Sequence, residues 1–453
     1  MKVCDEIELK IEKLSNLGLG IAKHEGLVVF VENSCPEDVV KAEITKVNKN
    51  WANAKIKEIL TPSPHRVEPK CSMQNICGGC QLQFIDYEYQ LKLKKEIVED
   101  ALKSIGNLNI EVQDTIASPE IFEYRHKVQY PISQTKVSKR ILAGYYKAKS
   151  HEIVNIKHCP IQPQICDEII EYIRNKAFDF GISGYNEKKH VGDLRHVVLR
   201  VSKATDKVLV TLVVNSTKTF ERLKDFAQDI YSNFKTVSGV CVNFNSKKTN
   251  VILGGQTELV AGKDFIKERI IDKTFRIGSN TFFQINPKSA ENIFQFVKDY
   301  IKNNFENPTI LDAYAGITSF GITLSDVCQK VVSVEENKDS VALADETIKL
   351  NEIKNIELHN MEAQKFFEKE LKTKKRKFDV IILDPPRKGC SEQSLEYALN
   401  LSRNKIIYVS CNPATFARDL KFLTEKGAKV EFIQPFDMFC HTYHIESVAI
   451  ISV

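Results

Sequence analysis

An apolar, β-branched run, Lys405 to Val409 (KIIYV), stops at Ser410-Cys411-Asn412-Pro413 and passes into a polar, helix-like segment. Such a run reads as a buried strand, and the Asn-Pro after it starts a helix, so the thiol of Cys411 is handed to the carboxyl edge of a sheet. Three other strand ends carry useful groups. Leu311-Asp312-Ala313-Tyr314-Ala315-Gly316 ends in a glycine that lets a ligand approach the backbone. Glu335, nineteen residues later, is placed to accept from both hydroxyls of a ribose. Asp384-Pro385-Pro386-Arg387 closes a further strand. The turn Gly316-Ile317-Thr318 lacks the full G-x-G-x-x-G of a pyrophosphate cradle, which favours S-adenosylmethionine over a nicotinamide cofactor.

A thiol beside a methyl donor suits pyrimidine chemistry. C5 of a pyrimidine is too weak a nucleophile to take a methyl group from a sulfonium, and a thiolate added at C6 makes it an enolate carbon. A base must then remove the C5 proton before the thiolate leaves. Glu446, in His441-Thr442-Tyr443-His444-Ile445-Glu446, is the candidate; apart from the cysteine it would read as a solvated strand end. Cys328, Cys390 and Cys440 end no core strand and read as packing thiols.

Strand-like runs at 309–315, 330–335, 356–360, 378–384, 405–411, 428–434 and 447–453 must position these groups, with helical segments between the first six. This predicts an α/β, Rossmann-like domain over 276–453, with a doubly wound, mostly parallel seven-stranded sheet. Asn286-Pro287 begins its first helix, whose apolar face is Ile293, Phe296, Val297, Tyr300 and Ile301. Residues 1–62 alternate in short runs broken by Gly18, Gly20 and Gly26, the pattern of a small OB-like β-barrel. There Trp51 among Lys46, Lys49, Lys55 and Lys57 is either a stacking surface for single-stranded nucleic acid or a core tryptophan beside solvated lysines. Thr61-Pro62-Ser63-Pro64 is a linker, and the stretch from 84 to about 115 carries helical periodicity through Leu91, Ile97 and Leu102, ending at Gly106. Residues 63–275 form a central α+β domain. Its Arg125, His126, Lys127, Arg195, His196 and Arg200 are solvated charges or, presented together, phosphate contacts.

Cys71-x5-Cys77-Gly78-Gly79-Cys80 puts three thiols within ten residues around paired glycines, a ligand pattern. Cys159, in a Cys-Pro pair, is the candidate fourth ligand, with Cys166 in reserve. Spacing leaves zinc and an iron-sulfur cluster both open. Twelve cysteines, no run of roughly 20 apolar residues and a charged start predict a cytoplasmic, membrane-free protein with reduced thiols. A net charge of +5 permits a nucleic-acid partner without demanding one.

Five stretches together resemble the RNA (uracil-5-)-methyltransferase family: the cysteine motif, Phe282-Phe283-Gln284-Ile285-Asn286, Asp384-Pro385-Pro386-Arg387, Ser410-Cys411-Asn412-Pro413-Ala414-Thr415 and His441-Thr442-x2-Ile445-Glu446. The likeness is greatest to its RumA-like branch, 23S ribosomal RNA enzymes with an N-terminal TRAM barrel and an iron-sulfur cluster. The resemblance implies a 4Fe-4S cluster on Cys71, Cys77, Cys80 and Cys159, and S-adenosyl-L-methionine contacts at Gln284, Tyr314, Glu335 and Asp384. It marks Cys411 as nucleophile and Glu446 as base, in a monomer whose partner is 23S ribosomal RNA. The same reaction on the T-loop of transfer RNA is the alternative. DNA cytosine methylation would place the thiol after the strand-four proline, and a non-catalytic RNA-binding protein would not need both Cys411 and Glu446. Phe282 stacks on a base or fills core. Thr318 replaces a common glycine of the family, and Cys440 a common proline.

Overall fold

The computed structural model describes residues 1–373 and 376–453. The basic stretch 372–377, expected as a solvated loop, falls partly outside the described residues at Lys374 and Lys375, while Lys372 and Thr373 end the helix Ala363–Thr373. The chain divides into two compact units: Met1–Asn75, Gly79–Pro119 and Gln364–Val453 make one, Ile76–Gly78 and Glu120–Ala363 the other.

In the first unit the strands Glu6–Lys10, Val39–Val47, Trp51–Thr61, Leu27–Glu32, Gly20–His24 and Lys13–Leu14 lie side by side in that order. Alternation along them buries Leu9, Val29, Val31, Val40, Ala42, Ile44, Ala52 and Ala54 in one apolar layer. Gly20, read as a turn residue, instead begins a strand, and a Cβ there would stand 2.0 Å from Ser34 Oγ. Trp51 is half-buried, with Phe30 edge-on at 6.0 Å and Lys46 Nζ 5.4 Å from its ring. Lys55 and Lys57 are both paired with Glu43, at 2.9 and 2.8 Å.

The helix Tyr87–Ala101 follows, capped by Asp86, whose carboxylate accepts from Tyr89 N. It buries Leu91, Leu93, Ile97, Val98 and Ala101, and on the same face Gln90 and Lys94. Its last turn widens into a π-helix over Leu102–Gly106, which ends at Asn107 with φ 53°.

The second unit holds a sheet in the order Gln256–Gly262, Val237–Phe244, Lys207–Val214, Leu194–Ser202, Lys127–Gln134, Ile141–Tyr146, Ile153–Asn155. Helices Gln164–Lys176 and Glu221–Asn233 pack Ile169, Ile173, Phe226 and Ile230 into its core. All nine residues of Leu194–Ser202 are buried, which corrects the reading of Arg195, His196 and Arg200 as solvated or phosphate-facing. Arg195 donates to the carbonyl oxygens of Asn245 and Lys247 at 2.5 and 2.7 Å and stacks on Tyr185, and Arg200 donates to Thr281 O. Burial and the neighbouring Arg195 push His196 down to about 4. These cations tie loops to the sheet. Lys127, half-buried, is pushed down to about 7 by burial and by Arg200 and Arg125.

Seven strands follow in the last part of the chain. In chain order they are Thr309–Ala313, Lys330–Glu335, Ile356–Asn360, Phe378–Leu383, Ser402–Ser410, Lys429–Phe436 and Glu446–Ser452; within the second unit the first three run third, second, first, and within the first unit the last four run fourth, fifth, seventh, sixth. Pairing is parallel between the first and second, second and third, and fourth and fifth, while the seventh runs antiparallel to both of its neighbours. The preceding helix, Pro287–Asn304, starts where expected, with the Asn286 side chain accepting from Ser289 N.

Candidate active site

The antiparallel seventh strand explains one convergence. Asp384 and Cys411 are the residues just beyond the fourth and fifth strands, and Glu446 is the first of the seventh, which pairs Ser447 with Ser410. A strand that enters beside its neighbour's exit brings a carboxylate to the same edge as the thiol. All three lie in the first unit.

Local hydrogen bonds join two of the motifs. Asn412 caps the helix Pro413–Glu425 by accepting from Ala414 N at 3.1 Å, and its amide donates to Arg387 O at 3.1 Å. Thr415 Oγ1 donates to the same carbonyl at 3.2 Å. Beyond Arg387 the chain turns at Gly389, φ +74°, where a Cβ would meet Asp419 Oδ2 at 2.4 Å. Asp419 in turn accepts from Cys390 N and from Tyr408 OH of the fifth strand.

The electrostatics are those of a dry, acid-rich edge. Burial, then the charge of Glu446, pushes the Cys411 thiol up to about 11, against the opposing pull of Arg387. Desolvation raises Asp384 to about 7. Glu446, 7% exposed, lies well above the carboxylate range because it is buried and because Asp384 is near, with Arg387 again opposing. A carboxyl held this way is a strong base once ionised, and a thiol held this way needs its proton taken before it can attack. Arg387, to which the sequence assigned no role, is the cation that favours both charged forms. The signal for it was its place in a motif at a strand end. Cys440 is fully buried, 3.9 Å from Tyr87 OH, its thiol pushed up to about 12 by burial.

Gln284, Tyr314 and Glu335 belong to the second unit. Glu335 Oε2 accepts from Gly316 N at 2.9 Å and Oε1 from Asn337 N at 2.8 Å, so the carboxylate is aimed by backbone amides and keeps lone pairs for a diol. Gly316 has φ +58°, and a Cβ there would have nothing within 4 Å, an open approach to the backbone that fits an adenosine ribose. Tyr314 and Thr318 also have left-handed backbones, φ 62° and 61°. At 318 this is where glycine is strain-free and threonine is not. Gln284 shares the lining of a small cavity with His126, Lys127, Arg200 and Phe283. Phe283 is the core residue of its pair, while Phe282 is 61% exposed, which rules out the core reading for it.

Cys71 and Cys80 lie in the first unit, Cys77 and Cys159 in the second. The first three are half-buried, and Cys159 is buried with its N–H on Asp167 Oδ2 at 3.2 Å. Among the described residues no group of three His, Cys, Asp or Glu side chains is arranged to hold a metal ion. Cys166, the reserve ligand, sits wholly inside the apolar core of the central sheet.

The family model of the tRNA (uracil-5-)-methyltransferases matches residues 86–452, and that of the TRAM domain residues 2–57. The chain belongs to the tRNA (uracil-5-)-methyltransferase family. It is an S-adenosylmethionine-dependent RNA methyltransferase with a TRAM domain at its amino end. An uncharacterised RNA methyltransferase of Halalkalibacterium halodurans is 35% identical over 450 residues, 99% of this chain and 97% of that one. One from Listeria innocua is 36% identical over 456 residues, 100% of this chain and 99% of the relative. Among solved structures, the tRNA (uracil-54, C5)-methyltransferase of Pyrococcus abyssi in complex with S-adenosyl-L-homocysteine superposes with a TM-score of 0.77 at 29% identity, over 98% of this chain and all of that one. Among the described residues no helix is long and apolar enough to cross a membrane.

Proposed function

We propose that this methyltransferase modifies C5 of a uridine in folded RNA through a covalent bond from Cys411 Sγ to C6. The observation that carries the reading is the meeting of Cys411, Glu446 and Asp384 at one sheet edge with Arg387 as their counter-charge. The uridine is flipped out of its stack, which costs least in a loop, and exposed Phe282 is placed to stack on a base. The Cys411 thiol gives up its proton to solvent and its sulfur pair forms the S–C6 bond, while the C5=C6 pair moves toward C5 and O4. S-adenosylmethionine, when bound, would supply an electrophilic methyl group to C5, the S–CH3 pair staying on the sulfur of the S-adenosyl-L-homocysteine that leaves. Glu446, ionised, then takes the C5 proton; that C–H pair re-forms C5=C6, and the C6–S pair returns to Cys411 as thiolate. Gln284, Tyr314, Glu335 and Asp384 are the proposed cofactor contacts, Glu335 to the ribose.

Three stretches divide the work in this reading: 1–62 as the RNA-binding barrel, 63–275 as a cluster-bearing and RNA-binding segment, 276–453 as the catalytic domain. We assign a 4Fe-4S cluster to Cys71, Cys77, Cys80 and Cys159 on motif spacing and family likeness alone, and no step of the reaction passes through it. Iron and sulfide analysis of anaerobically purified protein tests it: about four of each per chain is expected, and zinc or no metal overturns it.

For the substrate, 23S ribosomal RNA is the proposal, resting on the cysteine motif beside the TRAM domain. Transfer RNA is the second reading, favoured by the full-length superposition on an enzyme named for uracil-54 of tRNA. Mass-spectrometric mapping of 5-methyluridine in both RNAs, from cells with and without the gene, decides between them. Loss from 23S RNA alone is expected; loss from transfer RNA alone overturns that choice, and loss from neither overturns the uridine reading.

A further inference from the structure

The helix Tyr87–Ala101 buries an apolar stripe, yet two of its buried positions are polar and both side chains are fully enclosed: Gln90 and Lys94, four residues apart and so on one face. Neither serves its own helix. Gln90 Nε2 donates to Leu82 O at 3.0 Å and Ile85 O at 2.8 Å and meets His441 Nδ1 at 3.2 Å, while its Oε1 accepts from His441 N at 3.2 Å. Lys94 Nζ binds Asp437 Oδ1 at 2.5 Å and Phe439 O at 3.1 Å. His441 O accepts from both Gln81 N and Leu82 N at 2.9 Å. Apart from the two bonds from Gln90 to the carbonyls of Leu82 and Ile85, these contacts fall within 437–441, the start of the loop that ends at Glu446.

A second observation marks the same place. His441 has φ 63°, a left-handed backbone that a histidine keeps only when its surroundings over-determine it. The rest of the loop is knitted to that point: Thr442 Oγ1 donates to Phe439 O and accepts from His444 N, and Ile445 is fully buried just before Glu446. An enclosed amide and an enclosed ion pair contribute little net stability compared with apolar residues of the same shape, so their use lies in fixing one geometry over others.

We propose that Gln90 and Lys94 are positioning residues for the second half of the reaction: through His441 and Asp437 they set the pose of the loop that presents Glu446 to C5. This rests on the covalent mechanism above. Their loss leaves Cys411, its strand and the cofactor contacts in place, so addition and methylation proceed while proton removal and thiolate release slow.

The test uses the full chain, Gln90→Leu and, separately, the double variant Lys94→Met with Asp437→Leu, which removes both charges and strands neither. Three readings are taken on each: S-adenosylmethionine affinity, turnover on uridine-containing RNA, and the fraction of RNA held as covalent adduct on denaturing gels. Expected are unchanged cofactor affinity, turnover lowered at least about tenfold through kcat with the KM for RNA falling alongside it, and adduct raised several-fold over wild type. Wild-type turnover, or slowed turnover without adduct, overturns the positioning role. Loss of cofactor binding in both variants also overturns it, since the two residues then only hold the fold. A wild-type control with 5-fluorouridine RNA, which cannot lose a proton from C5, separates the two claims. If wild type traps no Cys411-dependent adduct there, the covalent mechanism itself fails; if it does and the variants behave as wild type on uridine, only the positioning role falls.

Discussion

Two glutamates at strand termini, one in each unit, are equipped in opposite ways. Glu335, at the exit of the second strand, is half-buried and has each oxygen held by a backbone amide. Glu446, at the entry of the seventh, is buried beside another acid, with an arginine as its charge relief. Amides aimed at a carboxylate fix its direction, which suits it to hold a ligand. Desolvation beside a like charge raises its appetite for a proton, which suits it to move one. In the proposed mechanism the surroundings, more than the residue type, decide which glutamate would bind and which would react.

That contrast can be broken at several points. Removing the proposed nucleophile has the largest expected effect: Cys411→Ala should lower 5-methyluridine formation by on the order of 10⁴-fold or more while S-adenosylmethionine still binds, as read by isothermal titration. Glu446→Gln should lower turnover by about 10²- to 10⁴-fold and accumulate a covalent RNA-protein adduct on denaturing gels. If Glu335→Gln accumulated that adduct too, the division of labour would be wrong. Glu335→Ala is expected instead to raise the KM for the cofactor by about 10- to 100-fold with kcat nearly kept, the scale of one or two hydrogen bonds to a charged group.

A gentler test uses pH. Cys411, Asp384 and Glu446 all hold protons more tightly than usual, and in the proposed mechanism the thiol and Glu446 react only after losing theirs. kcat/KM should therefore climb with pH from the acid side through neutrality. For stability the sign is opposite. Asp384 holds its proton to about 7 when folded and to about 4 when unfolded. Its contribution is thus fully present below about pH 4 and is lost as pH rises through about 7. Asp384→Asn, which mimics the neutral acid, should raise the thermal midpoint by a few degrees above pH 7 and leave it near wild type below pH 4.

Much of this site was legible in the sequence because it sits where strands end. The run before Cys411, the Asn286 cap and the spacing from Gly316 to Glu335 are local patterns, and the matching elements begin and end within a few residues of them. What escaped depends on burial and on distant partners. Arg195 and Arg200 read as surface charges because nothing local tells that a guanidinium will be spent on loop carbonyls. Gln90 and Lys94 carried no signal in the sequence, since their partners His441 and Asp437 lie some 350 residues away. Thr318 could be noticed as a departure, but only the backbone angle says what it costs.

The double tether on Arg387 O has a consequence for motion. Asn412 and Thr415 lie on the segment that leaves Cys411, and both hold the carbonyl of the residue that follows Asp384-Pro385-Pro386. Fluctuations that open one loop must carry the other with it, so amide exchange in 387–390 and 411–415 should report a single cooperative opening rather than two.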